Sequence, residues 1–183
     1  MIKKIVSLFL ILIPVNAFAL IEVDITRGNL NPLPLAVSPL SIDETSRKSF
    51  KKILKKENIG SEISSIVENN LRTSGLFNPL DKNAFLQAPD IANLKPRFED
   101  WNLIKAQALI TGKVKYADDK LRVEFRLWDV LAAKEMMALA FTTVPSNWRR
   151  VGHIISDKVY ERLTGEKGYF DTRIIYVSEE GPK

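Results

Sequence analysis

The chain has 183 residues, of which 45% are hydrophobic and 27% charged, as in an ordinary globular protein with room for one domain. It contains no cysteine, which excludes thiolate metal sites and cysteine nucleophiles. The net charge of +5 is too small to indicate nucleic acid as a partner, because two of the lysines lie among the first four residues.

Residues 1–19 have the three regions of an export signal. A pair of lysines starts the segment, residues 5–13 are apolar apart from one serine, and Ala17-Phe18-Ala19 fits the small-x-small cleavage pattern. A membrane-spanning helix needs about 20 apolar residues, and Pro14 interrupts this run too early. We therefore predict cleavage after Ala19 and export of the mature protein from the cytoplasm.

The segment after the export signal alternates in polarity, as a β-strand with one buried face does. It consists of Ile21, Glu22, Val23, Asp24, Ile25, Thr26 and Arg27. A proline-containing linker, residues 31–34, follows it and favours extended or turn conformations. Because no turn precedes the strand, its backbone groups could pair with the sheet edge of a partner. Residues 20–34 are thus predicted to be a partner-binding strand and linker.

A basic tract follows the short apolar strand predicted at residues 35–37. Phe50, Ile53 and Leu54 repeat at helical spacing within it, which predicts a short amphipathic helix. Its basic residues are Arg47, Lys48, Lys51, Lys52, Lys55 and Lys56. Two interpretations stay open. These side chains contact anionic lipid or an acidic protein, or they form the solvated face of an ordinary helix.

Two further helices are predicted before the strand pattern begins. Ser61 is a typical N-cap, apolar residues follow at helical spacing, and Gly75 is typical of the position after a helix end. Pro96 then opens a second, shorter helix over residues 97–105, which carries Trp101 toward apolar neighbours.

Three strands come next in the sequence. Residues 108–114 begin apolar and become alternating, residues 121–128 alternate strictly, and residues 134–144 form the third strand. Asp118 and Asp119 belong to the turn between the first two strands. This succession predicts an antiparallel meander. The segregated strands and helices predict an α+β fold, with a small mixed sheet and helices packed on one face.

The C-terminal part combines a helix and a strand. A helix opens at Pro145 or Ser146, presents one apolar stripe, and ends at Gly165. Residues 172–177 have the composition of a further strand. An unpaired apolar strand of this kind is an aggregation liability.

No catalytic or metal-binding motif stands out along the chain. His153 is the only histidine and lies opposite the apolar stripe of its helix, where a solvated position is expected. Neither a Gly-x-Ser-x-Gly elbow nor a glycine-rich phosphate loop is present. The sequence therefore predicts a non-enzymatic protein that uses no metal or cofactor.

Several segments, in the same order, carry a family resemblance across nearly the whole chain after residue 19. They are residues 35–40, 71–81, 101–114, 148–153, 163–168 and 172–177, together with Asp157. In this order they resemble the N-terminal domain of the TolB family, the periplasmic component of the Tol-Pal system. The resemblance implies periplasmic localisation, a TolB-like α+β domain over residues 35–167, and a stub of a first propeller strand over residues 168–183.

The resemblance also implies partners. In that family the first mature residues are recognised by the inner-membrane protein TolA, and a C-terminal β-propeller binds the lipoprotein Pal. Residues 21–27 are then expected to bind a TolA-like protein and to support outer-membrane integrity and envelope constriction during cell division. No blade repeat of about 40 residues is present, so a Pal-like lipoprotein is not an expected partner of this chain.

Two alternatives to a TolA-binding module stay open. One is a non-functional or split fragment of a TolB-like protein. The other is a binder of anionic lipid surfaces through residues 47–56, with peripheral membrane contact at most, because no segment after the export signal is long enough to span a bilayer.

Overall fold

The computed structural model describes residues 31–172. The predicted export signal, the candidate binding segment at residues 21–27 and residues 173–177 of the last predicted strand lie outside the described residues. The linker at residues 31–34 is described, and its last two residues already belong to the first strand of the sheet.

Six strands form one mixed sheet. They are β1 (Leu33–Val37), β2 (Ser41–Ile42), β3 (Phe77–Pro79), β4 (Ala108–Ala117), β5 (Lys120–Asp129) and β6 (Lys134–Thr143). The order is β3-β1-β4-β5-β6, and β2 pairs with β4 beyond the end of β1. The pairs of β1 with β3 and β4, and of β2 with β4, are parallel, whereas β4, β5 and β6 pair antiparallel. The predicted meander is confirmed.

Five α-helices surround the sheet within the described part of the chain. They are α1 (Glu44–Leu54), α2 (Ile59–Thr73), α3 (Pro89–Leu94), α4 (Phe98–Leu103) and α5 (Trp148–Thr164). Short 3-10 helices at Lys82–Ala84 and Pro145–Asn147 complete the secondary structure. Gly75 and Gly165 have the left-handed backbone expected just after a helix end, with φ of 75° and 76°.

The predicted N-cap of α2 is wrong. The helix begins at Ile59, and Ser61 lies within its first turn. Ile59 is fully buried, and the Cα of Gly60 lies against the backbone carbonyl of Leu40. Tertiary packing therefore extends the helix three residues beyond the point that local capping preference indicates.

The sheet carries a core on each face. On the larger side, alternate residues of β5 such as Val123 and Phe125 pack with α1, α2 and α5. On the other side, Trp101 of α4 packs with Leu109 and Val130, next to α3. The predicted α+β class with a mixed sheet is confirmed, and the three longer helices share one face as expected. The two short helices occupy the opposite face, because Trp101 and its apolar neighbours are buried there.

Candidate functional site

The basic helix α1 is held in place by residues on the side that faces the sheet. Phe50 is fully buried and meets the Tyr116 ring edge to face, with centroids 5.5 Å apart. The backbone N–H of Tyr116 donates a hydrogen bond to Ser46 Oγ at 2.9 Å. The backbone N–H of Ser46 donates to the Asp43 carboxylate, and this N-cap bond lowers the pKa of Asp43. The remaining faces of α1 present the basic residues to solvent.

Four of the six candidate surface-binding residues already have carboxylate partners within the described residues. The pairs are Arg47 with Glu44 at 3.6 Å, Lys48 with Glu44 at 3.8 Å, Lys51 with Glu57 at 2.5 Å and Lys56 with Glu62 at 2.7 Å. Exposed pairs of this kind contribute little to stability, but they neutralise positive charge. Lys52 and Lys55 form no ion pair in this part of the chain, so the unpaired positive surface is smaller than the sequence suggests.

Two cationic side chains lie over the ring of Trp148 at the start of α5. Lys56 Nζ lies 5.3 Å from the ring centroid, and the Arg149 guanidinium carbon lies 4.3 Å from it. Both distances are within the range of cation–π attraction. Lys56 therefore joins the C-terminal side of α1 to α5, which gives it a structural role in addition to its charge.

A polar cluster that the sequence did not predict joins α2 and α5. Asn70 Nδ2 lies 2.9 Å from His153 Nδ1 and 3.0 Å from Ser156 Oγ. The solvated position predicted for His153 is wrong, because the side chain is half-buried at this helix contact. Gly152 allows the close approach, since a Cβ there would lie 2.8 Å from Ile66. Ser156 donates to the carbonyl of Gly152 at 2.9 Å, so its proton serves a structural hydrogen bond.

The residues after α5 are held by a carboxylate. The backbone N–H groups of Phe170 and Asp171 donate to Asp157 at 2.6 and 3.1 Å. Gly168 is required for this contact, because a Cβ there would lie 2.4 to 2.6 Å from atoms of Asp157. Arg150 adds an ion pair to Asp171 at 3.1 Å. Residues 170 and 171 are thus positioned by α5.

Residues 31–172 contain neither a metal site nor a membrane-spanning helix. Within this range, no three His, Cys, Asp or Glu side chains gather as a metal site would require. None of the described helices combines the length and apolar character needed to cross a membrane.

The described residues form an α+β domain whose mixed sheet is covered by helices on both faces. The family model of the TolB amino-terminal domain matches residues 21–136. The chain belongs to this family. The match starts at Ile21, so the candidate segment, residues 21–27, falls within the region that defines the family.

Individual relatives agree with this assignment. The chain is 82% identical over 183 residues to the Tol-Pal system protein TolB of Pelagibacter ubique (strain HTCC1062). The match covers all of this chain and 41% of that relative. The crystal structure of TolB from Acinetobacter baumannii superposes with a TM-score of 0.61 at 25% identity, over 76% of this chain and 30% of that one. The chain thus spans less than half the length of the curated relative.

Proposed function

We propose that this chain is a non-enzymatic, periplasmic protein-interaction module of the Tol-Pal envelope system. Residues 21–27 bind a TolA-like inner-membrane protein, and this contact supports outer-membrane integrity and envelope constriction during cell division. The observation that carries the proposal is the family match, which begins at Ile21 and so includes the whole candidate segment. Export through the signal at residues 1–19, with cleavage after Ala19, brings the segment to the N-terminus of the mature protein.

The binding mode that the sequence pattern supports is strand addition. Ile21, Val23 and Ile25 share one face of an extended strand, where they fill apolar pockets of the partner. Glu22 and Asp24 lie on the other face, toward basic groups or solvent. Main-chain hydrogen bonds supply affinity in this mode, and the alternate side chains supply specificity.

The architecture of the domain suits a tethered binding segment. β1 begins at Leu33 and pairs with β3 on one side and β4 on the other, so the chain emerges from the interior of the sheet. The five residues between the segment and β1 can span about 17 Å when extended. The partner is therefore held close to the domain while the described elements keep their own contacts.

Two matched triple variants test the mode of binding. Replacing Ile21, Val23 and Ile25 by serine is expected to weaken binding to the periplasmic part of a TolA-like protein by at least about tenfold, because the apolar contacts are lost. Replacing Glu22, Asp24 and Thr26 by serine is expected to weaken it less. Isothermal titration calorimetry measures both, and equal losses would exclude an alternating strand.

A second candidate function is contact with an anionic lipid surface through α1. Lys52 and Lys55 are exposed without a carboxylate partner in the described part, and Ile53 beside them is 47% exposed. Basic residues near an anionic membrane contribute about 1 kcal/mol each, so this attraction is weak and peripheral. Co-sedimentation with phosphatidylglycerol vesicles that persists in a Lys52→Gln, Lys55→Gln variant would rule it out.

A further inference from the structure

Strand β6 lies at one end of the sheet and has an open edge. It pairs with β5 along Lys134–Thr143, and no other described strand pairs with it. The opposite end of the sheet is β3, a strand of 3 residues whose last residue, Pro79, has no backbone N–H. β6 is therefore the long edge to which a further strand can be added.

The first part of β6 is protected against strand addition, whereas the second part is not. A bulge leaves Met136 out of register with β5, and Arg162 Nε donates to the Met136 carbonyl at 3.4 Å. Residues 137–143 contain no charged residue, glycine or proline. Bulges and charged side chains are the usual means by which sheets protect an edge. Their absence from residues 137–143 leaves this stretch free to pair.

The register of the sheet determines which backbone groups of β6 are free. Asp118 and Asp119 form a two-residue turn between β4 and β5, both with positive φ. In such a hairpin the flanking residues, Ala117 and Lys120, form a hydrogen-bonded pair, and further pairs follow at every second residue. Carried across β5, this alternation directs away from the sheet the backbone groups of Ala138, Ala140 and Thr142. No hydrogen bond among the described residues uses these groups.

The side chains of the same stretch are complementary to a second copy of it. When two β6 strands run antiparallel around Ala140, each Ala140 lies opposite its counterpart, and these small side chains leave room at the two-fold axis. Leu139, which is 36% exposed, then lies opposite Phe141 of the second copy, as an apolar cross-strand pair. Ala138 lies opposite Thr142, so no charged side chains face each other. The edge therefore matches itself, as a two-fold interface requires.

The nearest charges on the exposed face of β5 do not oppose this pairing. Glu124 pairs with Lys113 at 3.1 Å and with Arg122 at 2.9 Å, and Arg126 pairs with Glu135 at 3.2 Å. The two β5 strands of a paired sheet lie three strand spacings apart, about 14 Å. This exceeds the screening length of about 8–10 Å at ordinary ionic strength. Repulsion between the two copies is therefore small.

We propose that two copies of this chain associate through residues 137–143 of β6, antiparallel around Ala140, so that their sheets become one. Backbone hydrogen bonds form between the copies at Ala138, Ala140 and Thr142. Stable complexes use about 20–30 residues on each side, so a contact of this length is weak and reversible. The short β3 edges remain at the outer ends, so assembly stops at two copies. The contact is separate from residues 21–27, and its failure would leave their proposed binding untouched.

Two variants at the centre of the contact test the proposal by sedimentation velocity. Ala140 is exposed and lies opposite Glu124 of β5, so a charged residue there leaves the core intact. The sedimentation coefficient of the mature parent chain is expected to rise with concentration into the millimolar range. Ala140→Lys and Ala140→Glu each place like charges together at the two-fold axis, and each is expected to weaken the association about fivefold. An equimolar mixture of the two is expected to associate at least as tightly as the parent chain.

The control for added charge is Ala132→Lys, at an exposed position in the turn before β6, which should associate like the parent chain. A parent chain that stays monomeric, or Ala140 variants that associate as tightly as the parent, would overturn the proposal. A mixture that associates no better than either variant alone would exclude pairing around Ala140 and overturn it as well.

Amide exchange along β6 locates the contact. The N–H groups of Ala138, Ala140 and Thr142 point away from β5, so their exchange is expected to slow as the concentration of the chain is raised. Exchange at Leu139 and Phe141 is expected to be slow at every concentration, because these residues pair with β5. Association that leaves the exchange at Ala140 unchanged would place the contact elsewhere and overturn the proposal.

Deleting residues 20–28 distinguishes a second copy from the chain's own N-terminal segment as the strand that covers β6. Both the association and the slowing at Ala140 are expected to persist after the deletion. Slow exchange at Ala140 in dilute solution that becomes fast after the deletion would mean that the N-terminal segment covers the edge. That result would contradict a second copy as the occupant.

Discussion

Gly60 lies in the first turn of α2 with its Cα against the backbone carbonyl of Leu40. A Cβ at this position would lie 2.1 Å from that carbonyl oxygen, which is backbone and cannot rotate away. Helix propensity favours alanine over glycine by about 1 kcal/mol, but overpacking of a tight site costs about 1–3 kcal/mol. Contact with the neighbouring loop therefore decides the residue at this position, against local preference.

The Gly60→Ala variant tests whether overpacking against Leu40 outweighs the gain in helix propensity. We expect a net loss of about 1 kcal/mol in the free energy of unfolding, measured by urea denaturation. Ser61→Ala, one residue further along the same turn and exposed, is the control and should change stability by less than about 0.5 kcal/mol. A Gly60→Ala variant as stable as the parent chain would show that the Leu40 loop moves freely.

Glu68 is the centre of an ion-pair network that ties the 3-10 helix at Lys82–Ala84 to α2. Its carboxylate lies 2.7 Å from Arg72 and 2.8 Å from Lys82, and its side chain is 17% exposed. Burial raises the pKa of Glu68, but the hydrogen bonds from Lys82 and Arg72 outweigh it and hold the pKa below its usual value. Stability from this group is present above the ordinary glutamate pKa and is lost as the pH falls through the lowered one.

The loss of stability caused by Glu68→Gln is therefore expected to depend on pH. At pH 7 it should lower the free energy of unfolding by about 1 kcal/mol. At pH 3 the difference from the parent chain should shrink, because Glu68 is then becoming protonated in the parent chain as well. Urea denaturation at the two pH values measures this. The same difference in the free energy of unfolding at both pH values would mean that the charge of Glu68 does not contribute to stability.

At the scale of elements, the carboxylate of Asp157 couples α5 to the residues that follow it, Phe170 and Asp171. Asp157→Ala removes two hydrogen bonds to backbone N–H groups, each worth about 1.5–3 kcal/mol when the acceptor is charged. We expect faster amide exchange at Phe170 and Asp171 and faster chymotryptic cleavage near Tyr169, with little change in the global melting temperature. Asp171→Asn, which weakens only the Arg150 pair, is the control. Amide exchange at Phe170 and Asp171 that is as slow in Asp157→Ala as in the parent chain would contradict this coupling.

Elements with a clear period were predictable from the sequence. The alternation along β5 and the apolar stripe of α5 report directly on one buried face each, so both elements were found. β2 was missed, because two residues carry no period. The parallel pairing of β1 with β3 and β4 was also missed, since it joins segments that local patterns cannot relate. The side of the sheet that α4 covers depends on where Trp101 is buried, which helical spacing alone does not specify.

The candidate surfaces were predictable only in part, for a related reason. The charge pattern of α1 is visible in the sequence, but the carboxylates that neutralise it come partly from Glu57 and Glu62, which the turn after the helix brings back to it. Residues 21–27 remain a prediction, since they lie outside the described residues.

At the scale of the whole molecule, the chain combines a domain with its own core and, before that domain in the sequence, the proposed binding segment. Every described element from β1 onward is built from residues after the segment. Removing residues 20–28 should therefore leave the fold intact while removing the partner contact. This separability is the central claim about how the protein works.

Calorimetric titration of the periplasmic part of a TolA-like protein with two forms of the mature chain tests that claim most directly. One form is complete, and the other lacks residues 20–28. A third form, with the same nine residues in scrambled order, controls for length and composition. We predict equal melting temperatures for all three and binding by the complete form alone. Equal affinity of the complete and shortened forms would contradict the assignment of TolA-like binding to residues 21–27.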